Sequence, residues 1–289
     1  MTRLEPFRST EIVPGVHMID GAATERCFLV EGSRRWLLID SLTGCGDLAA
    51  WIQTRWQPED EPELVNTHGH MDHTGGNYSF RACAMHPADQ PMFEQLLELD
   101  ADAPDPRLGY LRSSEGRPEF RERVTAADLI PPRPMPVRPI ADGEVFDLGS
   151  RQFEAILVPG HTRGSVTFYD RANRLLLTGD ALNRNTLLIP PRSTSIARYR
   201  QSLLALRERV APDTRLLSSH DPRLYGTELI DEGIELTELI LAGRDDQVET
   251  TFMGMSFHYA RAHRDLVRLD GGTVNIAYDP QYIHDRDDV

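Results

Sequence analysis

Three histidines and an aspartate fall within six positions, in His68-Gly69-His70-Met71-Asp72-His73, and no other stretch restricts the fold as strongly. The apolar pair Leu64-Val65 leads in and Thr74-Gly75-Gly76-Asn77 leads out. That context reads as the end of a buried strand opening into a tight loop. A strand end fixes the backbone, while the loop lets side chains converge on one point. His68 and His70, two apart on extended backbone, project to the same side. Asp72 keeps that parity and His73 breaks it, so one metal ion can take His68 and His70 while Asp72 and His73 turn towards a second. Imidazole nitrogens bind zinc at about 2.0–2.1 Å and carboxylate oxygens at about 2.0–2.2 Å.

This H-x-H-x-D-H signature resembles the metallo-β-lactamase-fold superfamily of metallo-hydrolases. Family members draw three further ligands from later in the chain, a histidine, an aspartate and a histidine. Candidates stand here in that order: His161 in Pro159-Gly160-His161-Thr162, Asp180 in Thr178-Gly179-Asp180, and His220 in Ser218-Ser219-His220. The resemblance spans roughly residues 12 to 225. It implies an α/β fold, the αββα four-layer sandwich. It also implies a binuclear centre in which His68, His70 and His161 hold one divalent ion, Asp72, His73 and His220 hold the other, and Asp180 bridges them. Two such ions share a water and lower its pKa from ~15.7 towards 7, and the hydroxide attacks an electrophilic carbonyl or phosphorus. On this resemblance Asp72 and Asp180 are the catalytic carboxylates, Asp72 as proton acceptor and Asp180 as the shared ligand. Nitrogen and oxygen donors without thiolate suit Zn²⁺ and admit iron or manganese. Asp40, closing the run Trp36-Leu37-Leu38-Ile39, is expected to support the metal histidines from behind.

Composition narrows the chemistry. All 31 basic residues are arginine, so a lysine nucleophile or Schiff base is excluded. The net charge of −14 argues against a polynucleotide partner, which needs a basic surface. Cys27, Cys45 and Cys83 are an odd number at no metal spacing, so a disulfide framework is not expected. Met1 to Thr10 lacks the apolar core of a signal peptide, and no stretch approaches the ~20 apolar residues of a membrane span. These features predict a cytoplasmic protein acting on a small molecule, with no membrane partner and an oligomeric state left open.

Strand runs are expected over 11–20, 27–30, 36–40 and 64–66, with a helix over Leu48–Trp56 started by Gly46-Asp47. They return at 145–149, 152–158, 165–169 and 174–178, followed by helices at Ser195–Val210 and Glu228–Leu241. Thr251–Phe257 and Thr273–Ala277 are further strand candidates. The chain reads as a single metallo-hydrolase domain over 1–289. Residues 87–139, holding one helix at Pro91–Leu99 and a proline-rich connector at 131–136, are expected to form an insertion, either a cap over part of the metal site or a surface excursion. Family lactonases place a tyrosine three residues after the bridging aspartate, where this chain has Asn183. The glutathione-thioester branch relies on basic residues in a C-terminal helical region, where this chain has only Arg261, Arg264 and Arg268. The expected activity is hydrolysis of a small ester, thioester or lactone. The alternatives are a phosphodiesterase on the same metals or a mononuclear-iron oxidising relative.

Overall fold

Short apolar runs separated by glycine and charge cannot bury themselves alone, and they pair into sheets. In a computed structural model describing residues 5–100, 102–113, 115–252 and 255–285, the contacts divide the chain into two units. The first is Met1–Ala141 with Val145–Gln152, and the second is Asp142–Glu144 with Phe153–Val289.

In the first unit β1 (Arg8–Val13), β2 (Val16–Asp20), β3 (Arg26–Val30), β4 (Leu37–Ile39), β5 (Glu63–Val65), β6 (Cys83–Met85) and β7 (Val137–Pro139) form one sheet in sequence order. Neighbours are antiparallel up to β4 and parallel from β4 to β7. Helix α1 (Leu48–Trp56) starts where expected, because the Asp47 side chain accepts from the Ala50 amide at 3.0 Å and caps an otherwise unsatisfied donor. Its buried Leu48 and Ile52 join Ile19, Leu29, Leu38 and Leu64 in the core. Full burial of each such side chain contributes about 1.5–3 kcal/mol.

Two expectations about local structure need correcting. The metal-loop backbone does not stay extended. After His70 it turns into a single helical turn, α2 (Met71–Thr74), because His70 at its N-cap accepts from the amides of His73 and Thr74. Strand parity therefore ends at His70, and Asp72 and His73 take their directions from the helix. The helix predicted at Pro91–Leu99 is also shorter, an α-helix α3 (Gln90–Glu94) tightening into a 3₁₀ turn over Gln95–Leu97.

Within 87–139 the charged stretch carries structure that its composition concealed. Helices α4 (Pro106–Arg112) and α5 (Pro118–Arg121) bring Leu111, Phe120, Val124 and Leu129 into a small cluster with Ala22, Ala23 and Cys45. Arg107 is fully buried and holds Asp105 at 2.6 Å. It donates to the carbonyls of Gly75 and Ile130 at 3.0 Å, fastening this segment to the loop that follows the metal motif. Gly75 itself packs so closely that a Cβ would stand 2.2 Å from the Thr43 carbonyl oxygen.

Strand β8 (Val145–Asp147) completes the first unit. In the second, β9 (Gln152–Leu157), β10 (Val166–Asp170), β11 (Leu175–Gly179) and, beyond β12 (Asn185–Leu188), β13 (Arg215–Ser218) run in the order β13-β11-β10-β9. Helices α6 (Ile196–Arg209) and α7 (Glu228–Leu241) bury Tyr199, Leu203, Leu206, Leu229, Leu236 and Ile240 in the same core as Leu176 and Leu216. Strands β14 (Val248–Phe252) and β15 (Met255–Tyr259), the short hairpin β16 (His263–Arg264) and β17 (Val267–Arg268), and β18 (Asn275–Tyr278) follow. A further sheet has the order β12-β18-β15-β14, with β12 parallel to β18. The candidate run 251–257 thus falls on a hairpin, with Met253 and Gly254 outside the described residues. Among the described residues, no helix is long and apolar enough to cross a membrane.

Candidate metal centre

Asp40 ends β4 with a φ of 65° and is wholly buried. Its carboxylate accepts from the Thr67 amide at 2.7 Å, the Thr67 hydroxyl at 2.8 Å and His73 Nδ1 at 2.8 Å. Burying a carboxylate is costly unless it is hydrogen-bonded, and here three donors serve it. The expected support behind the histidines is therefore present, and it fixes ring orientation. With Nδ1–H given to Asp40, His73 presents Nε2, which stands 3.6 Å from Asp72 Oδ2. His68 Nδ1 lies 3.0 Å from the Thr67 hydroxyl, so His68 also presents Nε2, 3.0 Å from His70 Nδ1. A reciprocal amide pair, Asn66 with Asn77, and the Ser41 hydroxyl close the network around the His73 carbonyl. The first unit thus brings together His68, His70, Asp72 and His73.

In the second unit His161 follows β9 through Pro159-Gly160. A Cβ at Gly160 would lie 2.1 Å from the Tyr199 ring, so only glycine lets the loop rest on that ring. His161 Nδ1 donates to the Leu187 carbonyl at 2.8 Å, leaving Nε2 as the presented atom. Asp180 follows β11 across Gly179, whose φ is 55°. Asp180 Oδ2 lies 3.2 Å from His220 Nε2 and 3.8 Å from His161 Nε2. The second unit thus gathers His161, Asp180 and His220.

The donor chemistry fits a metal. Ligand atoms about 2.0–2.2 Å from a tetrahedral ion stand roughly 3.3–3.6 Å from each other. The spacings of 3.0, 3.2, 3.6 and 3.8 Å bracket that range. The donors are imidazole nitrogens and carboxylate oxygens, without a thiolate. Cys27, Cys45 and Cys83 are all buried and free.

Other residues raised by the sequence lie elsewhere. His17 pairs with Glu31 at 2.6 Å. Asn183, at the lactonase tyrosine position, uses its side-chain oxygen to accept from the Asn185 amide, a local turn bond. Sequence reasoning missed Leu187, which acts through its backbone and leaves no side-chain signal. It also missed Asp221, which accepts from Arg223 at 2.7 Å and Tyr225 at 2.7 Å beside His220. Burial raises the Asp221 pKa, but these bonds outweigh it and bring the carboxyl to about 2.

The chain is similar to known proteins over much of its length. Residues 21–220 fit the model of the metallo-β-lactamase superfamily. The chain is 30% identical over 207 residues to human acyl-coenzyme A thioesterase MBLAC2, covering 65% of this chain and 71% of that one. It is 30% identical over 119 residues to hydroxyacylglutathione hydrolase of Methylococcus capsulatus, covering 41% of this chain and 33% of that enzyme. A metallo-β-lactamase from Pontibacter korlensis superposes with a TM-score of 0.57 at 17% identity, over 80% of this chain and 99% of that chain, which establishes the α/β fold. The chain belongs to the metallo-β-lactamase superfamily and is one of its metal-dependent hydrolases.

Proposed function

We propose that this hydrolase cleaves thioesters of small acyl groups, using two divalent metal ions, with zinc suited to the donors. On this reading His68, His70 and His161 hold one ion, Asp72, His73 and His220 hold the other, and Asp180 serves both. The observation that carries it is the placement of one carboxylate oxygen, Asp180 Oδ2, within 3.8 Å of two histidines assigned to different ions. The similarity to a coenzyme A thioesterase and to a hydroxyacylglutathione hydrolase supports thioesters over other acyl substrates.

When bound, the ions supply an activated water and a Lewis acid for the acyl oxygen. The residues do the rest. Asp40 and the Leu187 carbonyl hold His73 and His161 in the ring orientation that presents Nε2. Asp72, half-buried, accepts the proton released by the attacking water. Residues 87–139, fastened by Arg107 to Gly75, act as a cap that shapes the acyl pocket. The acidic chain repels long polyanions at a distance, which favours a small substrate.

A panel of acyl-thioesters, aryl esters, lactones and aryl phosphodiesters tests this assignment. Thioesters are expected to give the highest kcat/KM, with the phosphodiester at least about tenfold lower. A phosphodiester as best substrate would overturn the acyl assignment, and protein purified without chelator that carries no transition metal would overturn the centre itself.

A further inference from the structure

The chain is strongly acidic, yet two guanidinium groups meet on one carboxylate directly after His220. Asp221 is only 8% exposed, and its oxygens are already occupied. Oδ1 accepts from the Arg223 amide and from Arg223 Nε, both at 3.0 Å, while Oδ2 accepts from Arg223 Nη2 and the Tyr225 hydroxyl at 2.7 Å. Arg184 reaches the same oxygen only at 3.6 Å, with its side chain 26% exposed. One carboxylate between two guanidiniums leaves a net positive charge, and Arg184, the more covered of the two, attracts an anion more strongly than a fully solvated arginine does. Arg223 lies over the Tyr225 ring at 5.5 Å and is held twice by Asp221, so its fork is pre-oriented. The cluster is tied to the metal residues through the chain. Arg184 comes four residues after Asp180 and Asp221 one residue after His220.

We propose that Arg184 and Arg223, braced by Asp221 and Tyr225, form a subsite for the anionic end group of the thiol carrier in a thioester substrate, a phosphate or a carboxylate. This rests on the thioester reading above and deepens it. Arginine recognises both groups through paired N–H donors, and Asp221 keeps the fork from collapsing into solvent. Selectivity then lies in the carrier as well as in the acyl chain.

Calorimetry on the purified, metal-loaded protein with free coenzyme A, pantetheine and glutathione tests the subsite without requiring turnover. Coenzyme A or glutathione is expected to bind, pantetheine at least about tenfold more weakly. Which of the first two binds identifies phosphate or carboxylate as the source. Arg184→Gln should weaken that binding about tenfold, and Arg184→Lys should restore part of it. Arg223→Gln, at a side chain 58% exposed, supplies the same test if Arg184→Gln does not fold. In kinetics, the preference for a charged-carrier thioester over the N-acetylcysteamine thioester of the same acid should fall through KM. Weakened carrier binding in a protein that hydrolyses no thioester would uphold the subsite and sink the reaction assigned above. Equal binding of the three thiols, or binding unaltered in both variants, would overturn the subsite whatever the enzyme hydrolyses.

Discussion

In the first unit a single buried carboxylate disciplines a loop that carries four proposed ligands in six positions. In the second, three ligands hang from the ends of three strands, and His161 is held by a backbone carbonyl. His68 and His73 are fully enclosed, whereas the His220 side chain is 25% exposed. The first set is thus held by a dense hydrogen-bond network made of protein groups, Asp40 with Thr67 and Asn66 with Asn77. The second depends on sheet register, since its candidate ligands follow the ends of β9, β11 and β13. A ligand set braced by protein hydrogen bonds should resist metal loss better than one placed only by strand ends.

The largest effect should come from breaking the shared group. Asp180→Ala is expected to lower activity by roughly a thousandfold and metal content from about two ions to one, checked by elemental analysis beside steady-state kinetics. Two retained ions with little loss of rate would remove the bridging role.

A smaller effect sharpens the contrast between the units. Asp40→Ala strips His73 and Thr67 of a buried acceptor without replacing a proposed ligand. Metal affinity should fall about 10–100-fold, and the melting temperature should drop even in the metal-free protein. His220→Ala, at a more exposed site, should lower metal content with little change in metal-free stability. Equal melting losses for the two variants would erase the distinction drawn here.

The smallest effect uses the cysteines, all of which lie in the first unit. Burial pushes the thiols of Cys45 and Cys83 up to about 12 and raises Cys27 well above its usual value. They therefore stay protonated at neutral pH and react slowly with alkylating agents. Chelation should leave them protected, because the Asp40 network does not need the ion. Rapid labelling after chelation would show that the first set is also metal-built.

The same contrast explains what the sequence disclosed. The helices at Leu48–Trp56 and Glu228–Leu241 lie where apolar spacing put them, and the strand ends leading to His161 and Asp180 were marked by glycine. The compact motif at 68–73 was legible because its ligands are neighbours in the chain. The helical turn at Met71–Thr74 was not, since four residues are too few for a period and a capping carbonyl carries no side-chain signature. The helices within 100–130 were hidden by charge and proline, although Asp105 before Pro106 gave a cap signal in retrospect. His161, Asp180 and His220 came from resemblance alone, for nothing local says that strand ends so far apart in sequence serve one chemistry.

The carbonyl of Leu187 also has a consequence for how the two histidines are oriented. Leu187 lies in β12, in register with Ala277 of β18, so its position is set by a strand that follows α6 and α7 in the chain. The bonds of Asp40 itself run only to Thr67 and His73, within the first half of the chain. The orientation of the His161 ring therefore depends on a strand placed by the C-terminal part of the chain, and the orientation of His73 rests on Asp40.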